Sequence, residues 1–328
     1  MKINWFEQLL PLIGLVLFVA VLLRVDLKQL AVVLTNLNYF WIMGSLGLLV
    51  CSIVIRTIKW QILLEILEEK FGFWNLARAI IIGFYLGAIT PAKVGDFGRA
   101  FFLGKHDYRH TIFSIFADRV LDILLLVATG SLAIVGGLFL FGFDPTASFF
   151  IVLLCWSIVA AFFFLKNKHR TAATFRPFFE LLVPKVIKPK AKSAFDFFYS
   201  HVDVFRKKKN KIFVAMLLGS LNWILAIISA GFIALAIGIN VPFWFFVIAI
   251  PFATLIEALP ISISGLGTRE TFFLVLFSFF SVAADQAIAF SLLYLTLASI
   301  LPAFVGFLFF VRRATNLSYL LKEVFASF

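Results

Sequence analysis

Two arginines stand behind glycine-bearing loops in otherwise apolar sequence. Arg99 closes the stretch Thr90-Pro-Ala-Lys-Val-Gly-Asp-Phe-Gly-Arg99, and Arg269 closes Pro260-Ile-Ser-Ile-Ser-Gly-Leu-Gly-Thr-Arg269. A guanidinium offers a planar fork of donors that suits phosphate oxygens. Glycines at Gly95, Gly98, Gly265 and Gly267 would let backbone N–H groups approach the same anion. Lys93, Asp96 and Glu270 belong to the same loops, and Glu257 lies three residues before Pro260. A lone carboxylate in an apolar arm needs a partner, and Arg269 or Arg99 is the natural one. Arg56, one turn before Lys59-Trp60, is either a further contact for the same anion or a cation reaching toward the interface. The chemistry suggested is the binding of a phosphate-bearing group by a set comprising Arg99, Arg269, Glu270, Glu257, Asp96, Lys93 and Arg56, with Glu257 either a member of the site or half of a structural ion pair. The plainer alternative is that Asp96–Arg99 and Arg269–Glu270 are local pairs that neutralise each other. Neither loop has the lysine pattern of a nucleotide phosphate loop.

A second group is Asp118-Arg119-Val-Leu-Asp122. Asp118 and Asp122 are four residues apart and share a helix face. They lead into a long apolar run, where ionisable groups are costly and tend to be functional. Coupling or gating by Asp118, Arg119 and Asp122 is one reading, and structural anchoring at the interface is the other. The histidines (His106, His110, His169 and His201) and the cysteines (Cys51 and Cys155) have no metal-ligand spacing, so neither a metal nor another cofactor is expected. Both cysteines lie in apolar runs and read as packed thiols.

The elements that must carry these residues are set by composition. The chain has 328 residues, 62% hydrophobic and 14% charged. That is too apolar for a soluble domain of this size. Several runs approach the roughly 20 residues that span a bilayer as a helix. Spans are expected at 7–23, 39–58, 112–141, 147–165, 212–237 and 286–310, the last with a kink at Pro302, and an interfacial helix is expected at 61–70. The two arginine loops interrupt apolar arms at Pro91 and at Pro260, and they align as copies. Pro91 matches Pro260, Gly98 matches Gly267, and Phe101-Phe102-Leu103 matches Phe272-Phe273-Leu274. Broken apolar segments at corresponding places in two halves point to a transporter site.

The net charge is +12, and it is local: thirteen lysines and arginines between Lys166 and Lys211 face only Glu180, Asp196 and Asp203. One basic block excludes a nucleic-acid surface and marks a cytoplasmic loop. Within it, Phe195, Phe198 and Val202 recur at helical spacing, as in a helix lying on a membrane surface. Anionic lipid headgroups are its expected partners. With this block and both termini inside, each half holds a re-entrant hairpin, and the halves face opposite ways. The expected architecture is an all-α polytopic membrane protein. It has about six full transmembrane helices plus two re-entrant broken hairpins in an inverted repeat. Residues 1–146 form the first repeat, with its hairpin at 76–103. Residues 147–328 form the second, with the basic insert at 166–211 and a hairpin at 243–282.

Four motifs in order give the chain a family likeness: Arg56-x-x-Lys59-Trp60, Gly87-x-x-x-Pro91-x-x-x-Gly95-x-x-x-Arg99, Asp118-Arg119-x-x-Asp122, and Pro260-x-x-x-x-Gly265-x-Gly267-x-Arg269-Glu270. Together they resemble the lysylphosphatidylglycerol synthase transmembrane-region family, the flippase-like domain of bacterial multiple peptide resistance factors that also occurs alone. The likeness covers roughly residues 7–312. It implies lipid translocation or handling in the plasma membrane, with Arg99, Asp118, Arg119, Asp122, Arg269 and Glu270 on the family's recurring polar positions. No soluble aminoacyl-transfer domain follows the last span, so the chain is not expected to be a synthase itself. The expectation is a transporter or flippase for an anionic or phosphate-bearing lipid. Two alternatives are an adaptor that recruits a lipid-synthesising enzyme and a membrane-embedded glycosyl- or phosphotransferase. Substrate and oligomeric state stay open.

Overall fold

The structure, a computed structural model, describes residues 27–103, 108–141, 144–146, 149, 152–153, 156–157, 188–258 and 265–314. The expected span at 7–23, most of that at 147–165, the basic residues 166–187 and Pro260 lie outside them. Among the described residues there is no strand, and the chain is an all-helical, polytopic membrane protein. The helices are α1 (Leu27–Thr35), α2 (Tyr39–Ile66), α3 (Phe73–Ala88), α4 (Tyr108–Phe141), α5 (Lys188–Lys207), α6 (Lys209–Ile237), α7 (Trp244–Ala258), α8 (Thr268–Ser278), α9 (Ala284–Leu295) and α10 (Leu301–Ala314). A run of 3-10 turns, Pro91–Phe102, follows α3, and a wide π-turn, Thr296–Ile300, joins α9 to α10. Among the described residues three spans are long and apolar enough to cross a membrane: α2, α6 and the α9–α10 run.

Two boundaries differ from the sequence reading. The expected break after Ile58 is absent, because α2 has no glycine or proline at that point and continues to Ile66. Its 28 residues reach about 42 Å at 1.5 Å per residue. The polar stretch after the first span contains α1, whose Leu30 packs against Ile288 and Ala289 of α9. Helix α7 carries Pro251 in its interior. Cys51 is exposed, not packed.

The chain forms two compact units. The first contains 1–58, 71–108 and 218–328; the second contains 59–70 and 109–217. In the first unit, α2 and α6 meet through small and polar residues. Ser45 Oγ lies 2.8 Å from Ser229 Oγ, Ser52 donates to Asn222 Oδ1 at 2.6 Å, and a Cβ at Gly44 would crowd Phe232. Lipid tails are as apolar as leucine, so close backbone approach and interhelical hydrogen bonds carry such contacts. Phe245, Phe246, Phe273, Phe277 and Phe290 fill the core around α7, α8 and α9.

Helix α3 lies against the 3-10 run on one side and α10 on another. Pro91 blocks further helix and holds Thr90 extended, at φ −116° and ψ 141°. The Thr90 hydroxyl donates to Leu86 O at 2.9 Å and accepts from Gly95 N at 2.7 Å, which closes the turn. At the other contact, a Cβ on Gly306 would strike the Ile81 carbonyl and sit 3.0 Å from Tyr85 Cβ. Gly306→Ala is therefore expected to lower the thermal midpoint in detergent, by the roughly 1–3 kcal/mol typical of overpacking. An unchanged midpoint would mean that α10 can move away freely.

In the second unit, Leu63, Ile66 and Leu67 of α2 pack with Phe113 and Leu121 of α4 and Phe205 of α5. The aromatic face of α5 is used inside the protein: Phe198 and Phe205 meet Phe113 edge-on, at ring distances of 5.5 and 5.4 Å. Lys211 at the start of α6 pairs with Glu65 at 2.8 Å.

Candidate functional site

The first unit holds a buried ion network at the start of α8. Gly265 and Gly267 lead into the helix at φ +77° and +86°, a region that glycine reaches without strain. Gly265 has a second reason to be glycine, because a Cβ there would strike the Glu257 side chain. The turn places Arg269 in the first helical turn, where it is fully buried. Each of its three nitrogens donates: Nη1 to Glu257 Oε1 at 3.0 Å, Nη2 to Glu270 Oε1 at 2.7 Å, and Nε to Ser291 Oγ at 3.2 Å. Ser291 in turn donates to Glu270 Oε1 at 3.1 Å. Glu270 Oε2 reaches back to the Gly267 N–H at 2.5 Å and satisfies an otherwise orphaned helix-start donor. A carboxylate in the first turn also suits the positive end of the helix dipole.

Glu257 is shared. Its Oε1 takes Arg269, and its Oε2 takes Lys93 Nζ at 2.7 Å. The network therefore ties the 3-10 run to α7 and α8. Burial of two carboxylates is tolerated because each has a cationic donor and further hydrogen bonds. Lys93 is the open end. Its side chain is 37% exposed, whereas Glu257 is 6% exposed and Arg269 fully enclosed.

Arg99 and Asp96 are buried against α3, with Arg99 Nη1 3.7 Å from Asp96 Oδ1. They fit because residue 83 is glycine: a Cβ there would collide with the Asp96 carboxylate and stand 3.2 Å from Arg99 Cδ. Gly95 and Gly98 let the 3-10 run press on Leu86, whose carbonyl a Cβ at Gly95 would strike. The loop glycines of this run thus serve close packing. Arg56 lies over the Phe84 ring at 5.0 Å, a cation–π contact.

The aspartates belong to the second unit. Lys59 Nζ bridges Asp118 at 2.8 Å and Asp122 at 2.5 Å, and the lysine side chain is 3% exposed. Next to it, Trp60 Nε1 donates to Ser114 Oγ at 2.9 Å. Arg119 is half-buried on the same helix. No group of three His, Cys, Asp or Glu able to hold a metal occurs among the described residues.

The structure thus brings together Lys93, Glu257, Arg269 and Glu270, and it joins Asp118 to Asp122 through Lys59. Sequence reasoning had Arg269 as a partner for Glu257 but missed that Lys93 is the second. It also missed Ser291 and Lys59 as members of these networks. Two aspartates on one helix face demand a cation, and that demand was the available signal for Lys59.

The family described as the lysylphosphatidylglycerol synthase TM region matches residues 9–306. The chain belongs to this family. The matched stretch contains every residue of both ion networks, from Lys59 to Ser291. Similar proteins include a UPF0104 membrane protein of Methanocaldococcus jannaschii, 25% identical over 94% of this chain and 95% of the relative. Another UPF0104 membrane protein, from Methanothermobacter thermautotrophicus, is 23% identical over 86% of this chain and 88% of the relative. The chain is accordingly a membrane domain of a lipid-related family.

Proposed function

We propose that the protein is a transporter, not an enzyme, that moves a phosphate-bearing lipid between leaflets of the plasma membrane. The observation that carries this reading is Lys93, a partly exposed ammonium at the rim of an otherwise buried ion network. An ammonium on the chain's apolar surface suits a lipid phosphate, and the enclosed Arg269 and Glu270 hold the rim in place. Arg99 and Arg56 would add positive charge near the path, with Asp96 balancing Arg99. On this reading the two broken segments form a re-entrant, inverted pair. Asp118, Arg119 and Asp122 serve coupling or gating. Both termini are cytoplasmic, and the basic stretch 166–211 rests on anionic headgroups.

The test is lipid movement in proteoliposomes. Fluorescent phosphatidylglycerol, an aminoacylated phosphatidylglycerol and a polyprenyl phosphate would be followed separately. Lys93→Gln is the informative variant because it leaves Arg269 paired with Glu257 and Glu270. Movement of one lipid is expected, slowed about tenfold in Lys93→Gln if the lost contact approaches 1.4 kcal/mol in the transition state. Folded protein that moves none of the three would overturn the transporter and favour an adaptor for a lipid-synthesising enzyme.

A further inference from the structure

We propose that the Lys93–Glu257 ion pair is a latch between the 3-10 run and α7, opened when a lipid phosphate takes Lys93 away from Glu257. The inference rests on the lipid-transport reading and adds an internal competitor to it.

The two partners are unequal. If Lys93 leaves, Glu257 still accepts from Arg269 through its other oxygen, so no buried carboxylate is orphaned. Removing Arg269 would have the opposite result, since that guanidinium also holds Glu270 and Ser291. Lys93 is therefore the member that can change partners at low cost. Its exposure lets an outside anion reach it, which an enclosed pair would forbid.

The backbone is set for the same residue. Lys93 has φ +55°, uncommon for a residue with a side chain. Such a conformation persists where surrounding contacts over-determine it. Here Lys93 N–H donates to Thr90 O at 3.2 Å, and the Gly95 N–H to Thr90 hydroxyl bond closes the turn. The arrangement presents the ammonium from a braced turn. Val94 and Ile89 beside it are 63% and 56% exposed. An exposed cation flanked by exposed apolar side chains fits an amphiphile, with its phosphate on the lysine and its acyl region along Val94 and Ile89.

While the latch is shut, Glu257 competes with the incoming phosphate. Weakening the competitor should therefore tighten ligand binding, whereas a simple contact residue would only lose affinity when altered. The experiment is calorimetric titration of the purified full-length protein in detergent with dioctanoyl phosphatidylglycerol, and separately with glycerol phosphate. Glu257→Gln keeps an oxygen for Arg269 and removes the charge that holds Lys93. It is expected to bind the lipid about three- to fivefold more tightly than wild type, the scale of a part-exposed ion pair. Lys93→Gln is expected to lose at least about tenfold, as for a charge-assisted contact. Glycerol phosphate is expected to bind more weakly than the lipid in every protein.

Equal or weaker lipid binding by Glu257→Gln overturns the latch, as does wild-type affinity in Lys93→Gln or no binding by any of the three proteins. Glycerol phosphate binding as tightly as the lipid would overturn the lipid as occupant. If Glu257→Gln does not fold, Glu257→Asp, which keeps the charge but draws the carboxylate back from both Lys93 and Arg269, is expected to tighten binding in the same direction. Lipid movement measured on the same preparations separates the two readings. Movement without the Glu257→Gln effect overturns the latch alone. The binding pattern without movement overturns transport alone.

Discussion

Arg269→Met is expected to be the most damaging single substitution in the first unit. It would leave Glu257 with Lys93 alone and Glu270 Oε1 with only the Ser291 hydroxyl, both in a buried setting. Removing one partner of a buried ion pair costs about 3–5 kcal/mol, and much of that is the isolated charge left behind. The variant should give little monodisperse protein and a sharply lowered thermal midpoint. The mechanism makes a second demand: adding Glu257→Gln and Glu270→Gln should recover much of the loss, because the orphaned charges are then gone. Arg269→Met with a wild-type midpoint would show that the network is wet enough to solvate its own carboxylates. A triple variant no better than the single would show that packing around the guanidinium, not charge, carries the effect.

The second large effect is expected from Lys59→Met. The methionine fills most of the space but withdraws the ammonium from Asp118 and Asp122 together. With the lysine side chain at 3% exposure, the expected loss is again about 3–5 kcal/mol. The check is unfolding in detergent, with Asp118→Asn/Asp122→Asn added as the compensating change. Recovery in the triple variant would assign the loss to electrostatics. A wild-type midpoint in Lys59→Met would contradict a large role for the buried bridge.

These two networks also show what the sequence could and could not reveal. Membrane class was legible from composition, because so apolar a chain has no soluble alternative. The broken arms were legible because Pro91 and the glycine turn before Arg269 interrupt apolar runs in local, readable ways. Glu257 announced a need for a cation, and Arg269, twelve residues away, was within reach of that reasoning. Lys93 was not, since it is 164 residues from Glu257 and only the packing of the 3-10 run beside α7 makes them neighbours. Lys59 was hidden differently. It sits at the end of an apolar stretch next to Trp60, where a snorkelling lysine is the ordinary reading, and its partners Asp118 and Asp122 lie far along the chain. Ser291 carries no signal in a helix of mostly apolar residues. Helix α1 was missed because the polar residues around it masked a short apolar face that finds its partner only in α9.

The π-turn before α10 has a consequence for length. Its Leu301 N–H reaches back five residues, to Thr296 O, and so makes room ahead of Pro302, which has no N–H to give. Such a turn holds one residue more than a regular helix would, and each added residue rotates the next part of the helix by about 100° at 3.6 per turn. That extra residue sets the face that α10 shows to α3, where Gly306 meets Ile81 and where Phe307 and Phe310 meet Tyr85. Deleting a single residue between Thr296 and Ile300 would leave a straighter helix pointing the wrong side chains at its neighbour. In this turn the residue count itself is part of the fold.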